Sequence, residues 1–466
     1  MRIWSRKEKK GIILVALTFI TSILCWLAGL SYAQIGAVSI FALKTYATLL
    51  FWRFRLPFAF IAIFVLMAMG LLDVYHLIEF ASFDVILFLI GMMTIIGFLE
   101  ENHFFEYLID RIIKLVGNKT ERIILVLLLA SAVFAALVDE VTSILFMSAT
   151  ILHLAATFNV NPIPFIMMTV FATNIGSSAT VIGNPVGVMI ALKGGLSFSD
   201  FLRWATPISI SALVITVLIS TRLFSKDIKE LSEKMRSEKP AREEESRGFP
   251  ENKIRICWAV FLLTILSLVF HHSIEEALHL EKNTLLIGTA LFFGGVSLLL
   301  ERERAHEIVE RRVDWWTLTF FALLFASVGT LKYVGVTKLL AQWVFNLSQG
   351  SEIGMFVIFT WIAGMLSAFL DNVLAVATFT PVVQDIGDMG IYNFPLWWGM
   401  LFAGTFFGNL TMIGSTANII AIGMLERRRN MHITFMQWIK VGSLIAIPTL
   451  ILATVLILIQ LPYMPR

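Results

Sequence analysis

The chain has 466 residues, 58% of them hydrophobic and 15% charged, with a formal net charge of +3. Apolar runs of about 17 to 21 residues recur along it, each able to cross a hydrocarbon layer of ~30 Å at ~1.5 Å per residue, so the composition excludes a soluble domain and reads as an all-α polytopic membrane protein. The small net charge offers no footprint for nucleic acid, and two cysteines, Cys25 and Cys257, imply neither a disulfide framework nor a metal cluster.

Arg2, Arg6, Lys7, Lys9 and Lys10 precede the first predicted span, Gly11 to Leu30. The positive-inside bias places this N-terminus in the cytoplasm, on a multi-pass protein of the cytoplasmic membrane. The apolar stretch is longer than a leader's and no A-x-A site follows, so it is expected to stay as a span. Gln34 to Phe51 returns to Arg53 and Arg55, and Pro57 to Leu72 reaches a loop, Leu71 to Phe83, without Lys or Arg. Phe83 to Leu99 then runs back to the interfacial pair Glu100-Glu101. An amphipathic piece, Phe104 to Val116, leads to Arg111, Lys114, Lys119 and Arg122.

Ile123 to Phe158 carries Asp139-Glu140 near its middle. It is either two full spans or a re-entrant hairpin with its tip at Asp139 to Ser143. The hairpin is favoured, because a tip facing a protein-lined aqueous cavity tolerates irregular backbone and carboxylates. His153, on its second leg, reads as a packing or hydrogen-bonding residue. Ile163 to Leu192 crosses once, broken at Gly176 to Pro185, and Ala205 to Phe224 returns. Ser225 to Asn252 is dense in Lys, Glu and Arg and reads as a solvated helix or a disordered linker. Ile256 to Phe270 and Leu285 to Leu300 follow; Arg302, Arg304, Arg311 and Arg312 precede Trp315 to Leu331. Met355 to Leu370 and Val373 to Val383 form a second hairpin around Asp371-Asn372. Phe394 to Leu425 is a second broken span, ending in Arg427-Arg428-Arg429, and Phe435 to Leu461 closes the chain.

The second half therefore repeats the first. Asp139 and Asp371 are 232 positions apart, and Thr180-Val-Ile-Gly183 matches Thr411-Met-Ile-Gly414 at 231. Arg111 to Arg122 holds four basic residues where the equivalent Ala341 to Glu352 has none; the loop before Trp315 holds four where Leu71 to Phe83 has none. Arg427 to Arg429 likewise corresponds to the uncharged Gly195 to Ser199. Matching loops on opposite faces mean two inverted-topology repeats, each with a re-entrant hairpin and a discontinuous transmembrane helix, about 11 spans plus two hairpins in all. The expected organisation is residues 1–56 (N-terminal segment and two spans), 57–224 (repeat 1, hairpin about 123–158, broken helix about 163–192), 225–253 (charged cytoplasmic linker) and 254–466 (repeat 2, hairpin about 353–388, broken helix about 394–425).

A helix broken at mid-membrane presents N–H groups to an anion and C=O groups to a cation. Gly176, Gly183, Gly408 and Gly414 let the backbone open there. Ser177, Ser178, Thr180, Asn184, Asn409, Thr411, Ser415, Thr416 and Asn418 offer neutral groups suited to a weakly hydrated oxyanion or a cation, and either sign stays open. Asp139, Glu140 and Asp371 tip the balance toward cation or proton coupling, since protonation and Na⁺ binding can compete at an intramembrane carboxylate. Helix capping is the plainer role for Asp139 and Asp371. Thr142, Asn174 and Asn372 complete the candidate set, with Asp139, Thr180, Asp371 and Thr411 as candidate Na⁺ positions. No cofactor is expected beyond Na⁺ or H⁺ as coupling ion.

At these residues the chain resembles the ion transporter superfamily, specifically the group with arsenite-efflux permeases, P-protein-like permeases, NhaD-type sodium/proton antiporters and citrate or divalent-anion/sodium symporters. Ser367-Ala-Phe-Leu-Asp371-Asn372-Val is close to that group's hairpin motif, whereas Ala136-Leu-Val-Asp139-Glu140-Val-Thr142 has Glu140 where Asn is usual. Gly176 to Pro185 looks like G-G-T-A-T-x-I-G-D-P, with Ser177, Ser178 and Asn184 in place of Gly, Thr and Asp, and Thr411 to Asn418 looks like T-x-I-G-x-x-A-N. The resemblance covers nearly the whole chain and implies a homodimeric carrier of inverted repeats. The leading expectation is a secondary active transporter of a small ion, of the arsenite/anion permease type, driven by a proton or sodium gradient through an elevator or rocking motion. The alternatives are an NhaD-type Na⁺/H⁺ antiporter and a sodium-coupled carboxylate or divalent-anion symporter. No H-E-x-x-H or G-x-S-x-G motif occurs, so an enzyme is not expected. No Walker motif occurs either, which leaves a separate ATPase partner as the route to ATP-driven transport.

Overall fold

The computed structural model describes residues 6–116, 120–237 and 250–466, and every regular element in them is helical. Arg2, Lys119 and residues 238–249 of the expected linker lie outside the described residues. In chain order the helices are α1 (Arg6–Leu27), α2 (Tyr32–Leu50), α3 (Arg55–Ala68), α4 (Val74–Phe80), α5 (Phe83–Glu101), α6 (Phe104–Val116), α7 (Thr120–Leu137), α8 (Glu140–Thr157), α9 (Ile163–Gly176), α10 (Pro185–Gly194), α11 (Phe198–Asp200) and α12 (Thr206–Leu223). Then come α13 (Ser225–Ser237), α14 (Glu251–Leu278), α15 (Thr284–Leu300), α16 (Ala305–Arg312), α17 (Trp315–Tyr333), α18 (Val336–Leu347), α19 (Glu352–Phe369), α20 (Asn372–Asp388), α21 (Phe394–Phe407), α22 (Thr416–Arg429) and α23 (Phe435–Gln460). Among the described residues nine helices are long and apolar enough to cross a membrane, and shorter apolar helices accompany them.

The chain divides into two compact units. The first comprises Met1–Leu87, Asp314–Ile358 and Ala377–Asn393. Within it α2 packs on α1 and α3, and α17 packs on α3 and α4. Gln34, which completes the capping box of α2 with Ser31, also donates from Nε2 to the Val334 carbonyl after α17 (3.1 Å). Arg55, at the start of α3, donates to Thr317 Oγ1 (2.7 Å) and lies over the Trp52 ring (4.4 Å), so its charge is held by a hydroxyl and an aromatic face.

The second unit comprises Phe88–Val313, Phe359–Val376 and Phe394–Arg466, and it contains both acidic hairpin tips and both interrupted helices. The first tip is the turn between α7 and α8, the second that between α19 and α20. Helix α9 has 14 residues and α10 has 10, roughly 21 and 15 Å, so neither crosses ~30 Å by itself. The interruption follows from local sequence: Asn184 is extended (φ −164°) because it precedes Pro185, which starts α10 at its first turn. The second interruption lies between α21 and α22, where Ser415 is extended (φ −148°) and caps α22. Around these pieces α7 packs on α9, α8 on α22 and α9, and α21 on α23.

Several expectations need adjusting. Leu71 to Phe83 is not a plain loop: Asp73 accepts the His76 N–H (2.8 Å) and starts α4, and that cap bond holds its carboxyl below the usual range. The charged stretch from Ser225 begins as an ordered helix, α13, whose Ile228 and Leu231 are buried in the core with α7. The Ile256 to Phe270 span extends over Glu251–Leu278, and an amphipathic helix, α18, covers the region of Ala341. His153 is exposed on α8 instead of packed. Glu100 and Glu101 accept from Arg312 (3.1 Å to Glu100) and Arg304 (3.2 Å to Glu101), which ties the end of α5 to the arginine-bearing segment around α16.

The contact of α5 with α15 depends on a glycine. A Cβ at Gly91 would lie 2.6 Å from the carbonyl carbon of Ala290, and backbone cannot yield as a side chain can. Gly91→Val should therefore cost about 1–3 kcal/mol and lower the melting temperature of the purified protein. Gly288→Val, where nothing lies within 4 Å of an added Cβ, should melt like the wild type.

Candidate functional site

Each acidic tip is first a helix cap. Asp139 Oδ1 accepts the N–H groups of Val141 (2.6 Å) and Thr142 (2.9 Å), while Thr142 Oγ1 donates to Oδ2 (2.6 Å). Asp371 Oδ1 accepts the Val373 N–H (3.0 Å), and its Oδ2 accepts from Thr416 Oγ1 on α22 (2.8 Å). Both carboxylates thus satisfy first-turn amides that would otherwise be orphaned.

The loop residues of each interruption dock back onto their own hairpin in the same manner. Thr180 Oγ1 donates to the Ala136 carbonyl, and Thr411 Oγ1 donates to the Ala368 carbonyl, the equivalent residue of the second copy. A Cβ at Gly183 would strike the carbonyl of Ser177, and one at Gly414 would lie 2.7 Å from the carbonyl of Gly408, its counterpart. Gly176 abuts the Ala132 backbone of α7, which explains why that end of α9 carries no side chain.

The two copies then meet. Asn174, near the end of α9, donates from Nδ2 to Asn409 Oδ1 (2.7 Å) and to Asn418 Oδ1 (2.8 Å), and accepts from Ser415 Oγ (3.1 Å). Asn418 spends its own Nδ2 on the carbonyls of Gly408 and Thr411, each at 2.8 Å. Trp438 Nε1 on α23 holds the Asn409 carbonyl (3.1 Å). At the tips, Asn372 Nδ2 of the second hairpin donates to Glu140 Oε1 of the first (3.3 Å). Ser177 Oγ accepts from Asn184 Nδ2 (2.7 Å), and its single proton is shared between the Asn174 carbonyl (3.0 Å) and Glu140 Oε2 (3.4 Å). Asn174, Ser177, Asn184, Asp371, Asn372, Asn409, Thr411, Ser415 and Asn418 are all buried, as are Glu140 and Thr142, while Asp139 and Thr416 are half-buried. The donors to Glu140 and Asp139 are neutral groups.

Three of the four departures from the motif pattern are therefore neighbours in one hydrogen-bonded group. Glu140, Ser177 and Asn184 are bonded in series, and Asn184 uses both ends of its amide: Oδ1 caps α10 through the Gly187 N–H (2.7 Å) and Nδ2 reaches Ser177. An aspartate could do only the first. Ser178 turns elsewhere, pairing with Ser209 on α12 (2.7 Å) and the Ile175 carbonyl (2.8 Å). Residues absent from the sequence reading also belong to this framework: Ser131 pairs with Thr173 (2.6 Å), Ser143 donates to the Ser131 carbonyl (2.8 Å), and Trp438 braces Asn409. For the serines and the threonine the signal was a small polar group in an otherwise apolar stretch; Trp438 offered none. Among the described residues no cluster of three or more His, Cys, Asp or Glu could hold a metal ion.

A family model described as citrate transporter matches residues 46–347 and 328–464. The chain belongs to the citrate transporter family. An uncharacterized transporter of Mycobacterium tuberculosis is 31% identical over 379 residues, 80% of this chain and 85% of that protein. The human P protein is 27% identical over 444 residues, covering 79% of this chain and 52% of its own length. The crystal structure of the YdaH transporter of Alcanivorax borkumensis matches with a TM-score of 0.57 at 14% identity, over 84% of this chain and 87% of that one, a likeness of fold. This citrate-transporter-family member is thus a multi-pass membrane transporter.

In it, Asn418 is the residue on which the amide network hangs. Asn418→Asp keeps its shape but turns two donors toward backbone carbonyls into an acceptor carrying charge, which should cost about 3–5 kcal/mol. A large fall in melting temperature, or failure to purify as a monodisperse species, is expected; a wild-type melting curve would show that the network is dispensable.

Proposed function

We propose that the protein is a secondary active transporter that moves a small ion across the cytoplasmic membrane, with the ion and its coupling proton or sodium taken at the junction of the two copies. The observation that supports this most is the bonding of Asn174 in one interruption to Asn409 and Asn418 in the other. Four buried amide and hydroxyl side chains, those of Asn174, Asn409, Ser415 and Asn418, meet there from elements far apart in sequence, a concentration of polarity placed where the interrupted helices face each other. The carboxylates at the tips supply negative charge for a coupling cation. Citrate, named in the family's description, is the first substrate to try, with dicarboxylates, sulfate and arsenite beside it.

In proteoliposomes, one of these labelled solutes should accumulate beyond its equilibrium distribution under an imposed proton or sodium gradient, and the matching ionophore should abolish the accumulation. Movement that only equilibrates, indifferent to every gradient, would mean a passive pore. The neutral donors around Asp139 and Glu140 favour a second reading, Na⁺/H⁺ exchange, since a cation is the natural counter-charge for them. A pH-sensitive dye inside the vesicles should then report proton movement on adding Na⁺ or Li⁺, lost in Asp139→Asn with Asp371→Asn.

A further inference from the structure

Most basic side chains at the helix ends of the second unit are engaged. Arg304 and Arg312 pair with Glu101 (3.2 Å) and Glu100 (3.1 Å), and Lys234 on α13 pairs with Glu230 (3.0 Å). Arg222, in the last turn of α12, and Lys440, in the second turn of α23, are exposed, and among the described residues neither side chain has a hydrogen-bond or ion-pair partner. The two sit at one end of the unit. Helix α12 packs on α23. Helix α13, which follows α12, is tied by Lys234 to the Asn159 carbonyl just beyond α8 (2.6 Å), and Arg429, at the end of α22, donates to the Leu152 carbonyl in the last turns of α8 (3.0 Å). The C-terminal end of α12 and the N-terminal end of α23 therefore both lie beside the C-terminal end of α8.

Each of these cations ends a stripe of exposed apolar side chains. On α12 Ile210, Val214 and Leu218 are exposed, and the same four-residue step continues to Arg222; on α23 Leu444, Ile447 and Ile451 are exposed on the face that Lys440 begins. The opposite faces, with Thr216 and Ser220 of α12 and Gly442 and Ile445 of α23, are buried. A long cationic side chain at the end of an apolar stripe fits a membrane boundary, with its stem along hydrocarbon and its charge among headgroups. Packed helices run ~8–10 Å apart, close enough for two such side chains to reach one headgroup. Arg427 and Arg428, exposed and also without partners among the described residues, add positive charge at this end, and Glu426 beside them is engaged by His432 (3.1 Å).

We propose that the outer face of α12 and α23 binds an anionic phospholipid, with Arg222 and Lys440 on its phosphate and its acyl chains along the two apolar stripes. The positive-inside bias puts this end at the cytoplasmic leaflet, where anionic lipid collects. Arg222 gives the phosphate a planar fork of donors and Lys440 a point charge. A zwitterionic lipid carries its own cation beside the phosphate, so the pair selects for net negative charge. The helices joined in this way are those that brace the interruptions, α12 through Ser209 to Ser178 (2.7 Å) and α23 through Trp438 to the Asn409 carbonyl (3.1 Å). The lipid thus stabilises the junction from outside, whichever solute is moved.

The test uses the purified full-length protein in detergent, titrated with phosphatidylglycerol, phosphatidylcholine or inorganic phosphate at matched ionic strength, reading the melting temperature and, by native mass spectrometry, the lipid retained per chain. Phosphatidylglycerol should raise the wild-type melting temperature and be retained; phosphatidylcholine and inorganic phosphate should do neither. Arg222→Gln with Lys440→Gln should melt like the wild type in phosphatidylcholine, and its midpoint for phosphatidylglycerol should move at least tenfold higher. Arg311→Gln, which removes a positive charge from an exposed pair with Glu307, should leave that midpoint unchanged. The charge-keeping exchange Arg222→Lys with Lys440→Arg should retain the response, which separates loss of charge from loss of folding. Equal stabilisation by both lipids, an undiminished response in the double glutamine variant, or a full response to inorganic phosphate, the mark of a soluble-anion site, would overturn the proposal. So would an unchanged lipid count in that variant together with altered self-association, which would seat a second copy of the chain on this face.

Discussion

The structure of the junction depends on two backbone carbonyls, those of Gly408 and Thr411, which the interrupted helix leaves without intrahelical partners. In water they would be solvated; in an apolar protein they need donors, and Asn418 supplies one to each, beside the Gly414 N–H that also reaches Thr411 (3.3 Å). From that obligation the orientation of Asn418, then Asn174, then Asn409 follows without freedom. Hydrogen bonds in such a chain reinforce one another at low dielectric, so the network is stiff.

The same economy governs the acidic tips. Asp139 and Asp371 answer the first amides of α8 and α20, so helix ends compensate part of their charge. Glu140 is different: its two oxygens accept from Asn372 and Ser177, one from each copy, at 3.3 and 3.4 Å. Glu140 thus joins the second hairpin's tip to the first interruption. Ser177 faces it, sharing its proton between Glu140 and the Asn174 carbonyl, while Asn184 donates to the Ser177 oxygen.

Much of this was legible in the chain. Hydropathy marked the spans, and the spacing of Asp139 to Asp371 and of Thr180 to Thr411 marked the repeated elements, because a hairpin tip and a helix break each need particular residue types at particular offsets. Proline and asparagine at 184–185 announced the start of α10 to within a residue. What escaped was what depends on neighbours. α13 looked solvated because its charges outnumber its apolar residues, yet Ile228 and Leu231 are enough to seat it against α7. Ser178 looked equivalent to Ser177, and only the path of α12 shows that it faces Ser209 instead. Ser131, Thr173 and Trp438 carry no motif, since bracing roles are set by what they touch.

By itself the sequence determined that the chain is a helical membrane protein with two acidic tips and two polar interruptions, because burial in lipid permits only helices with satisfied backbones and the exceptions stand out against apolar surroundings. It left the copies as two separate patterns and the motif departures as four separate anomalies. Tertiary structure decided that Asn174 bonds Asn409 and Asn418, that Glu140, Ser177 and Asn184 form one series, and which amide end faces where. Those facts are pairings between residues up to 244 positions apart, and hydrogen-bond direction is a property of the pair, which no residue carries alone.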